Sequence, residues 1–444
     1  MHPVLRWFLL WPGLLLPAAV FGAAGGQAPT ASAPAFSIVL ATDRPAALYA
    51  AGETATFHLS LRDAAGQPVA GRTVQVAMAR EIAPPQTAAV TTQTVPVAVT
   101  LTLDRPGFVL VTATYHDVSG AAATARAGVG FSPLEIKAPL TRPDDFLVFW
   151  RAQLRDLAAR PMEPVLTPVA PIADGQGRVE TFDVQLACPG GRPVSGYYSR
   201  PVGAKPKSLP AILCLQGAGV RSANRVDWMA AGGTCLAMDI NAHGIANGKP
   251  AEYYRQLEAG ELAGYPGFGA GNRDACYFRG MFLRVARALQ FLKAQPEWDG
   301  RTLVTWGSSQ GGAQALAGAA LDPQVTFCAA LVPGLCNLSG QAGGLNAGWP
   351  GWVVYRDGRP ADPAIAKTAP YFDLVNFAPE IKAQTYIDAG LIDTTCPPSG
   401  IYAVFNAIRA PKEILTYPRN GHGYYTAESY ARLWKYLANQ QSHK

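Results

Sequence analysis

The chain contains 444 residues, of which 49% are hydrophobic and 15% are charged, and its formal net charge is +6. This length indicates more than one domain. Lys and Arg are dispersed along the chain and no nucleic-acid-binding motif occurs, so we expect no polynucleotide partner. No C-x-x-C motif and no His/Cys cluster with zinc spacing is present, so we expect neither a metal site nor a cofactor.

The N-terminus has the three parts of a secretory signal. Arg6 precedes an apolar stretch at residues 7–21, and small residues follow at 22–26. The apolar stretch has about 15 residues, whereas a membrane-spanning helix needs about 20. We therefore interpret residues 1–26 as a signal peptide rather than a signal anchor. This interpretation predicts a secreted or periplasmic protein with no stable membrane insertion after the leader is removed.

Seven cysteines follow the leader, and an odd number leaves at least one thiol unpaired in a monomer. Cys214, Cys235 and Cys328 lie within apolar strand patterns, so we expect them to be buried thiols. Cys328 and Cys336 flank the end of a predicted strand. Their position makes them a candidate disulfide pair in an oxidising compartment.

Residues 36–131 are rich in Thr, Val and Ala, with apolar and polar residues alternating at 54–61 and 108–115. Turn signals at 65–68 and 105–107 separate the predicted strands. This pattern predicts an immunoglobulin-like β-sandwich. Because its predicted loops contain few aromatic residues, we interpret it as a spacer or packing module rather than a carbohydrate-binding module.

Residues 134–440 are predicted to form one large α/β domain, because strand patterns alternate with helix patterns after a connector at 132–143. The expected fold is a doubly wound, mostly parallel sheet. Residues 179–186 and 194–199 are predicted to form an antiparallel hairpin at its edge. The first predicted helix covers residues 144–159, and the parallel strands are predicted at 211–215, 234–239, 302–306, 326–332, 384–390 and 413–417.

A G-x-S-x-G motif at residues 307–311 follows the predicted strand 302–306 and precedes a predicted helix at 311–321. A strand, a tight turn and a helix in this order are typical of the nucleophile elbow, in which glycines permit the strained turn that exposes a serine hydroxyl. With 45 glycines in the chain, the motif alone would carry little weight. Its setting makes Ser309 the candidate nucleophile.

A serine hydroxyl needs a base and an orienting acid. His422 lies in a loop between the predicted strand 413–417 and a last predicted helix at 427–440, where an α/β-hydrolase has its base. His243, which follows another predicted strand, is the alternative. We favour His422 and expect His243 to line the pocket or to bond to nearby backbone.

Asp393 is the candidate acid, because it ends the apolar strand pattern and precedes a loop at 394–398. This position would bring its carboxylate to the edge of the sheet beside the elbow. Asp388 is an alternative, but it falls inside the strand pattern, where an ionised carboxylate is costly unless paired. Asp373 is another acidic residue in this region, and it is expected at most to cap a turn.

Ester hydrolysis also needs N–H donors for the oxyanion of the tetrahedral intermediate. The backbone N–H of Gln310, directly after Ser309, is one expected donor. The second is expected from a glycine-rich turn at residues 216–219, which follows the predicted strand 211–215. Ala218 is the favoured donor in that turn.

Several further segments match one enzyme family. They are R-P-D-D-F at 142–146 with F-W at 149–150, F-R-G at 278–280, G-S-S-Q-G-G at 307–312, Y-F-D at 371–373 with N-F-A at 376–378, G-L-I-D at 390–393 with P-P-S at 397–399, and P-K-E at 411–413 leading to G-H at 421–422. With these segments, residues from about 134 to 438 resemble the acetyl xylan esterase and cephalosporin-C deacetylase family of carbohydrate esterases. The resemblance implies an α/β-hydrolase fold, the family's nucleophile, acid and base at Ser309, Asp393 and His422, and its oxyanion donors at Gln310 and Ala218.

Three segments depart from the family pattern. The family usually has Arg-Gly-Gln where this chain has N-A-H-G at 241–244, Glu where it has Gly423, and His-Gly-Tyr where it has Q-G-A at 216–218. These departures leave open how the nucleophile loop is supported, what shape the acyl pocket has, and whether the family's hexamer forms.

The resemblance implies a serine esterase that hydrolyses acetyl esters of carbohydrates, of the xylan or xylo-oligosaccharide type, and the predicted leader implies that it is exported. The alternatives are an α/β-hydrolase esterase or peptidase with another acyl or leaving group, and a non-catalytic carbohydrate-binding protein. A Gly- and Pro-rich insertion between Cys336 and Ala383 carries Trp349, Trp352 and Tyr355. We expect these rings either to stack on a sugar or to pack a lid against the core.

Overall fold

Residues 36–131 form two β-sheets whose side chains alternate between buried and exposed. We call these two sheets together the N-terminal β unit. The computed structural model describes residues 35–140, 142–172, 176–423 and 427–442, so the predicted signal peptide at 1–26 lies outside the described residues. The strands are β1 (Phe36–Thr42), β2 (Leu48–Tyr49), β3 (Thr54–Asp63), β4 (Thr73–Arg80), β5 (Gln86–Thr91), β6 (Val97–Thr102), β7 (Gly107–His116) and β8 (Ala122–Phe131).

One sheet of the β unit has the order β1-β3-β6, and the other has the order β2-β8-β7-β4-β5. In β3, Phe57, Leu59 and Leu61 are completely buried, because the period of two sends them to one face. The rings of Phe36 in β1 and Tyr115 in β7 meet edge to face with their centroids 5.2 Å apart, which joins the two sheets. The immunoglobulin-like assignment of this unit stays a prediction.

The remaining residues form a nine-stranded sheet covered by helices, which we call the α/β unit. Its strands are β9 (Val165–Val169), β10 (Val179–Leu186), β11 (Val194–Pro201), β12 (Leu209–Leu215), β13 (Leu236–Ile240), β14 (Trp298–Ser308), β15 (Phe327–Leu331), β18 (Gln384–Gly390) and β19 (Lys412–Tyr417), and the two short strands β16 (Tyr355–Arg356) and β17 (Arg359–Pro360) pair separately. The order across the sheet is β19-β18-β15-β14-β12-β13-β11-β10-β9. The six strands from β19 to β13 are parallel, and β11, β10 and β9 are antiparallel to their neighbours.

The structure adds one strand to the edge that the sequence predicted. The predicted hairpin is present as β10 and β11, but β9 lies outside it and pairs with β10. Strand β9 contains Pro168 and has mostly exposed side chains, so its sequence lacks the buried alternation of an inner strand. A proline removes a ladder donor and is tolerated only at such an edge.

The helices of the α/β unit lie on both sides of the sheet. They are α1 (Phe146–Ala159), α2 (Asp227–Ala230), α3 (Ala251–Ala259), α4 (Tyr277–Lys293), α5 (Gln310–Leu321), α6 (Pro363–Thr368), α7 (Leu374–Phe377), α8 (Pro398–Ala407) and α9 (Ala427–Ser442). Helix α5 is built almost wholly of small residues and is buried along its first ten residues. Small side chains let it lie close to β14 and α4, which places its N-terminus against the end of the sheet.

The candidate disulfide between Cys328 and Cys336 is wrong. All seven cysteines lie in the described ranges, and each is a free thiol. Cys328 lies inside β15, where its side chain bonds to Thr305. The Cys336 thiol lies beyond the strand and is 3.3 Å from the carbonyl oxygens of Pro333 and Gly334. The two side chains are thus held by different partners.

No helix within the described ranges is long and apolar enough to cross a membrane.

An aromatic cluster attaches α1 to the α/β unit. Trp150 is buried and its indole N–H donates to the carbonyl oxygen of Tyr371 at 3.0 Å. Four phenylalanine rings, with centroids 5.3 to 5.9 Å from that of Trp150, surround it: Phe149, Phe282, Phe372 and Phe377. The cluster therefore connects α1, α4 and the segment around α7.

We expect Trp150→Ala to destabilise the protein by about 3–5 kcal/mol, because it leaves a cavity and an unpaired carbonyl in a buried site. Val148 on the same helix is 63% exposed, so Val148→Ala should change stability by less than about 0.5 kcal/mol. Thermal unfolding of the two variants measures the difference. Equal melting temperatures would show that the cluster does not anchor α1.

Candidate functional site

The backbone at Ser309 is in a strained conformation between β14 and α5. Its φ is 58° and its ψ is −123°, a region that non-glycine residues rarely occupy. The Ser309 N–H donates to the carbonyl oxygen of Leu331 at 2.8 Å, and the Ser309 carbonyl accepts from the amides of Ala313 and Gly334, both at 3.0 Å. These three backbone bonds hold the turn in the shape that the elbow motif predicted.

Two glycines permit this turn because backbone segments meet there without room for side chains. A Cβ at Gly311 would overlap the carbonyl oxygen of Leu215, and a Cβ at Gly307 would overlap the carbonyl oxygens of Gly311 and Leu215. Leu215 is the last residue of β12, which pairs with β14. The close approach thus fixes the elbow against the end of the neighbouring strand.

The structure brings Ser309, His422 and Asp393 into one chain of hydrogen bonds. The Nε2 atom of His422 is 2.8 Å from the Ser309 hydroxyl, and its Nδ1 atom is 2.9 Å from Oδ2 of Asp393. The imidazole is 26% exposed, whereas the Asp393 side chain is fully buried. A ligand can therefore reach the serine and the imidazole, while the carboxylate stays shielded from water.

The Asp393 carboxylate is held from behind by the loop that follows β18. Its Oδ1 atom accepts from the backbone amides of Thr395 at 2.8 Å and Cys396 at 2.9 Å. Donors on Oδ1 leave Oδ2 free to face His422. The nearby Cys396 thiol bonds to Ser309, and burial raises its pKa well above the usual value. Cys396 therefore stays a protonated thiol and does not compete as a nucleophile.

The two alternative aspartates have other partners. Asp388 is buried within β18 and accepts from the hydroxyls of Tyr386 and Ser429. Asp373 caps α7 and accepts from the amides of Asn337 at 2.8 Å and Leu338 at 2.6 Å. Burial raises the pKa of Asp373 to about 7 and also raises that of Asp388. Asp388 thus joins β18 to α9 and Asp373 holds the loop at 337–338, while the His422 imidazole bonds to Asp393.

The glycine-rich turn at residues 216–219 lies against the elbow. A Cβ at Gly217 would be 3.5 Å from the Cβ of Ser309. The Arg221 guanidinium donates to the carbonyl oxygens of Gly217 at 2.9 Å and Ala218 at 3.1 Å. Because C=O and N–H point in opposite directions in a trans peptide, the bond to the Gly217 carbonyl turns the Ala218 N–H away from Arg221.

Gln310 contributes a second amide at the same place, because it is the first residue of α5. The first N–H groups of a helix have no intrahelical acceptor, and they carry the positive end of the helix dipole. The Gln310 amide thus stands at the N-terminus of α5, directly after Ser309, and the turn that carries Ala218 packs against Ser309. The role of the two amides as oxyanion donors stays a prediction.

A hydrogen-bonded network of His243, Tyr265 and Tyr277 supports the turn at residues 216–219. His243 is buried, and its Nε2 atom is 3.1 Å from the carbonyl oxygen of Gly219. Its Nδ1 atom is 2.9 Å from the Tyr277 hydroxyl. The Tyr265 hydroxyl accepts from the Gly219 amide at 3.3 Å and donates to the side chain of Gln310 at 2.8 Å. The network thus ties the turn to the first residue of α5.

Burial lowers the pKa of His243 to about 4, so its imidazole is neutral near pH 7. The buried Arg284 guanidinium donates to the carbonyl oxygen of Ala242 at 2.6 Å and fixes the segment that carries His243. His243 has no contact with Ser309 among the hydrogen bonds of the described residues. The imidazole lies beside the turn at residues 216–219 and bonds to its backbone. This is one of the two roles that the sequence predicted for His243.

Sequence reasoning missed Arg221, Tyr265 and Tyr277. Arg221 follows the glycine-rich turn by two residues, but nothing in its spacing shows that its guanidinium folds back onto the turn. The two tyrosines lie before and within α4, and long-range packing alone brings them to His243. Such contacts leave no local signal in the chain.

The aromatic residues of the insertion pack against the core. The rings of Trp349 and Trp352 lie 5.9 Å and 5.1 Å from the ring of Phe278, and the Trp352 indole donates to the carbonyl oxygen of Pro266 at 2.8 Å. A Cβ at Gly334 would be 3.1 Å from the Trp349 ring and 3.8 Å from the Gln310 amide nitrogen. Trp349 therefore also borders the site beside Ser309.

No group of His, Cys, Asp or Glu suited to a metal ion occurs among the described residues.

Comparison with known proteins identifies the relatives of this chain. The family model described as acetyl xylan esterase (AXE1) matches residues 135–440. The acetyl esterase Axe7A of Xylanibacter ruminicola is 31% identical over 315 residues, which are 69% of this chain and 70% of that protein.

Two solved structures share the fold of the α/β unit. The acetyl xylan esterase of Paenibacillus sp. R4 has a TM-score of 0.60 and 26% identity, and the match covers 69% of this chain and 98% of that one. Acetyl xylan esterase 1 of Thermoanaerobacterium sp. JW/SL YS485 has a TM-score of 0.57 and 22% identity, with 69% and 97% covered. The chain thus has an α/β-hydrolase-like fold, as predicted.

Gly311→Ala tests whether the close backbone approach builds the elbow. The added methyl group meets the backbone of Leu215 and Gln216, which cannot move without disturbing β12. We expect a melting temperature several degrees lower and loss of most esterase activity on p-nitrophenyl acetate. Gly267→Ala is the control, because a Cβ there has open space. A Gly311→Ala variant that behaves like the control would contradict this account of the turn.

Proposed function

The chain belongs to the acetyl xylan esterase family, and from this premise we propose that it is an exported serine esterase that deacetylates carbohydrates of the xylan or xylo-oligosaccharide type. As a member of the family it is a carboxylic ester hydrolase. The observation that carries the finer proposal is the chain of hydrogen bonds from Asp393 through His422 to Ser309. Along the sequence the three residues come in the order Ser, Asp, His, which is the order of the triad in an α/β-hydrolase.

In the proposed reaction, Ser309 attacks the carbonyl carbon of the acetyl group as Nε2 of His422 takes its proton. Asp393 holds the imidazole in the tautomer with a proton on Nδ1 and stabilises the imidazolium that forms. As the tetrahedral intermediate collapses and its bond to the sugar oxygen breaks, the imidazolium protonates that oxygen, which leaves as a sugar hydroxyl. In the second half of the reaction, His422 activates a water molecule, which hydrolyses the acetyl-enzyme and releases acetate.

The amides of Gln310 and Ala218 are proposed to bind the oxyanion of both tetrahedral intermediates. One such donor contributes about 3–4 kcal/mol to the rate in comparable enzymes. The Arg221 bond to the Gly217 carbonyl and the helix position of Gln310 orient the two donors before the substrate binds. Preorganised donors need no rearrangement when the negative charge develops.

The surroundings of Ser309 favour a short acyl group. Trp349 borders Gly334, whose own backbone lies beside the Gln310 amide. The Trp349 ring packs on Phe278 with the ring centroids 5.9 Å apart, and in our proposal it bounds the acyl pocket on this side. An acetyl group needs little space there. Other esterase or peptidase specificities and a non-catalytic binding role are the alternatives that assays must exclude.

Export is proposed on the sequence of residues 1–26 alone. An acetylated plant polysaccharide is too large to enter a cell intact, so a deacetylase that acts on it works outside the cytoplasm. Fractionation of the cells that express the full chain tests this proposal. Activity confined to the cytoplasmic fraction, with the N-terminus intact, would contradict it.

Ser309→Ala is expected to retain the fold and lose about 10⁴-fold or more in kcat, because it removes the nucleophile without adding bulk. Acetate release should be measured on acetylated xylo-oligosaccharides and on p-nitrophenyl esters of increasing chain length. Wild-type protein should prefer acetyl esters. Acetate release by Ser309→Ala at near wild-type rate would rule out the proposed nucleophile.

His422 and His243 are expected to differ in their effect on kcat. His422→Ala should lose nearly as much activity as Ser309→Ala, and the double variant should lose little more, because the residues act as a unit. His243→Ala removes a support of the turn and should lower stability or alter KM, with a loss in kcat of about tenfold or less. The kcat values decide the assignment, and a larger loss at His243 than at His422 would falsify it.

A further inference from the structure

Gly128 of the N-terminal β unit touches two loops of the α/β unit at once. Its backbone N–H donates to the carbonyl oxygen of Pro418 at 2.8 Å. A Cβ at this position would overlap the carbonyl oxygen and the Cβ of Leu391. Gly128 lies within β8, between Ala127 and Val129. The contact is therefore a close approach of backbone to backbone that requires glycine.

The two loops that Gly128 touches are those of the acid and the base. Leu391 precedes Asp393 by two residues, and Pro418 precedes His422 by four. The loops also bond to each other, since the amide of Leu391 donates to Tyr417 at 2.9 Å and that of Ile392 donates to Asn420 at 3.2 Å. Strand β8 thus rests on a pair of linked loops whose ends carry Asp393 and His422.

Glu81 of the β unit makes a second connection near the acid. Its Oε2 atom accepts from the amide of Asn346 at 2.9 Å and from the hydroxyl of Ser399 at 3.0 Å. Its Oε1 atom accepts from the amide of Phe108, within the β unit, at 2.9 Å. Ser399 belongs to α8, which begins directly after the loop that holds Asp393. The carboxylate thus bridges the two units.

A cleft of about 330 Å³ lies between these connections. Glu81, Leu110 and Asn346 line it together with Asp393 and Thr394. The acid loop therefore faces an open cleft on this side. Gly128 contacts the loop at Leu391, and Glu81 bonds to Ser399 just beyond it, in addition to the backbone bonds that join the loop to that of the base.

We propose that the N-terminal β unit positions the acid and the base for ester hydrolysis through Gly128, with Glu81 as a second anchor. This inference rests on the proposed roles of Asp393 and His422. It differs from our expectation of a mere spacer or packing module. The β unit touches no reacting atom, and its part is to hold Asp393 in line with Nδ1 of His422.

Gly128→Ala in the full chain tests the proposal. The nearest atoms to the added methyl group all belong to Leu391, so we expect it to displace the acid loop. A misplacement of about 1 Å at a catalytic group costs up to about 10²-fold in rate. We expect kcat on p-nitrophenyl acetate to fall by about 10- to 100-fold with KM changed less than about threefold.

Leu59→Ala in β3 is the control within the β unit. The Leu59 side chain is completely buried, and β3 pairs with β1 and β6 rather than with the strands next to Gly128 and Glu81. The variant should lower the melting temperature, because it leaves a cavity in the β unit, while kcat, measured below that temperature, stays within about twofold of wild type. Equal kcat losses in both variants would mean that any destabilisation of the β unit impairs the site. That result would contradict a specific role of Gly128.

Labelling with a fluorophosphonate separates slow chemistry from misfolded protein. Gly128→Ala should reach the same final stoichiometry as wild type but react more slowly, because the serine is present and its activation is impaired. If a fraction of the protein stays unlabelled and the remainder reacts at the wild-type rate, the substitution only unfolds molecules and the proposal is overturned.

Glu81→Gln provides a second variant that adds no bulk. The amide nitrogen cannot accept the hydrogen bonds that one carboxylate oxygen accepts now, so we expect kcat to fall several-fold with KM little changed. Wild-type kcat in both Gly128→Ala and Glu81→Gln would refute the inference. Should Ser309→Ala retain activity, the proposed function fails instead, so the two failures are distinguishable.

Discussion

The site depends on backbone that meets backbone at the end of the sheet. Gly307 and Gly311 let β14 and α5 approach Leu215 so closely that no Cβ fits between them. That approach forces Ser309 into its strained conformation and puts the first amide of α5 beside its hydroxyl. Every other functional group is arranged around this point, since the turn at 216–219 and the loops of Asp393 and His422 follow strands of the same sheet.

The turn that faces the elbow is supported differently from what the family pattern suggests. The family's Arg-Gly-Gln segment is replaced here by residues 241–244, and a neutral imidazole with two tyrosine hydroxyls supports the turn. Because burial lowers the pKa of His243 to about 4, this support keeps one protonation state at neutral and mildly acidic pH. The support of the turn therefore does not change its charge over that pH range.

The sequence predicted the parallel strands, the elbow and the members of the hydrogen-bonded chain, because these have local signals. A glycine pair around a serine and an aspartate at a strand end are visible without any long-range contact. Strand β9 was missed because Pro168 breaks its pattern, and the pair of Cys328 and Cys336 was wrong because spacing says nothing about where thiols point. Arg221 and the two tyrosines were missed since only tertiary packing brings them to the turn.

Gly128 also bears on how such a two-unit protein can change over time. Domains joined by a free linker can be exchanged by recombination, because neither surface depends on the other. Here a replacement for the β unit would have to present a bare backbone N–H to Pro418, with no side chain facing Leu391, at one register position of one strand. Under the proposed positioning role, the α/β unit of this chain depends on one particular neighbour, and the two units are expected to diverge together.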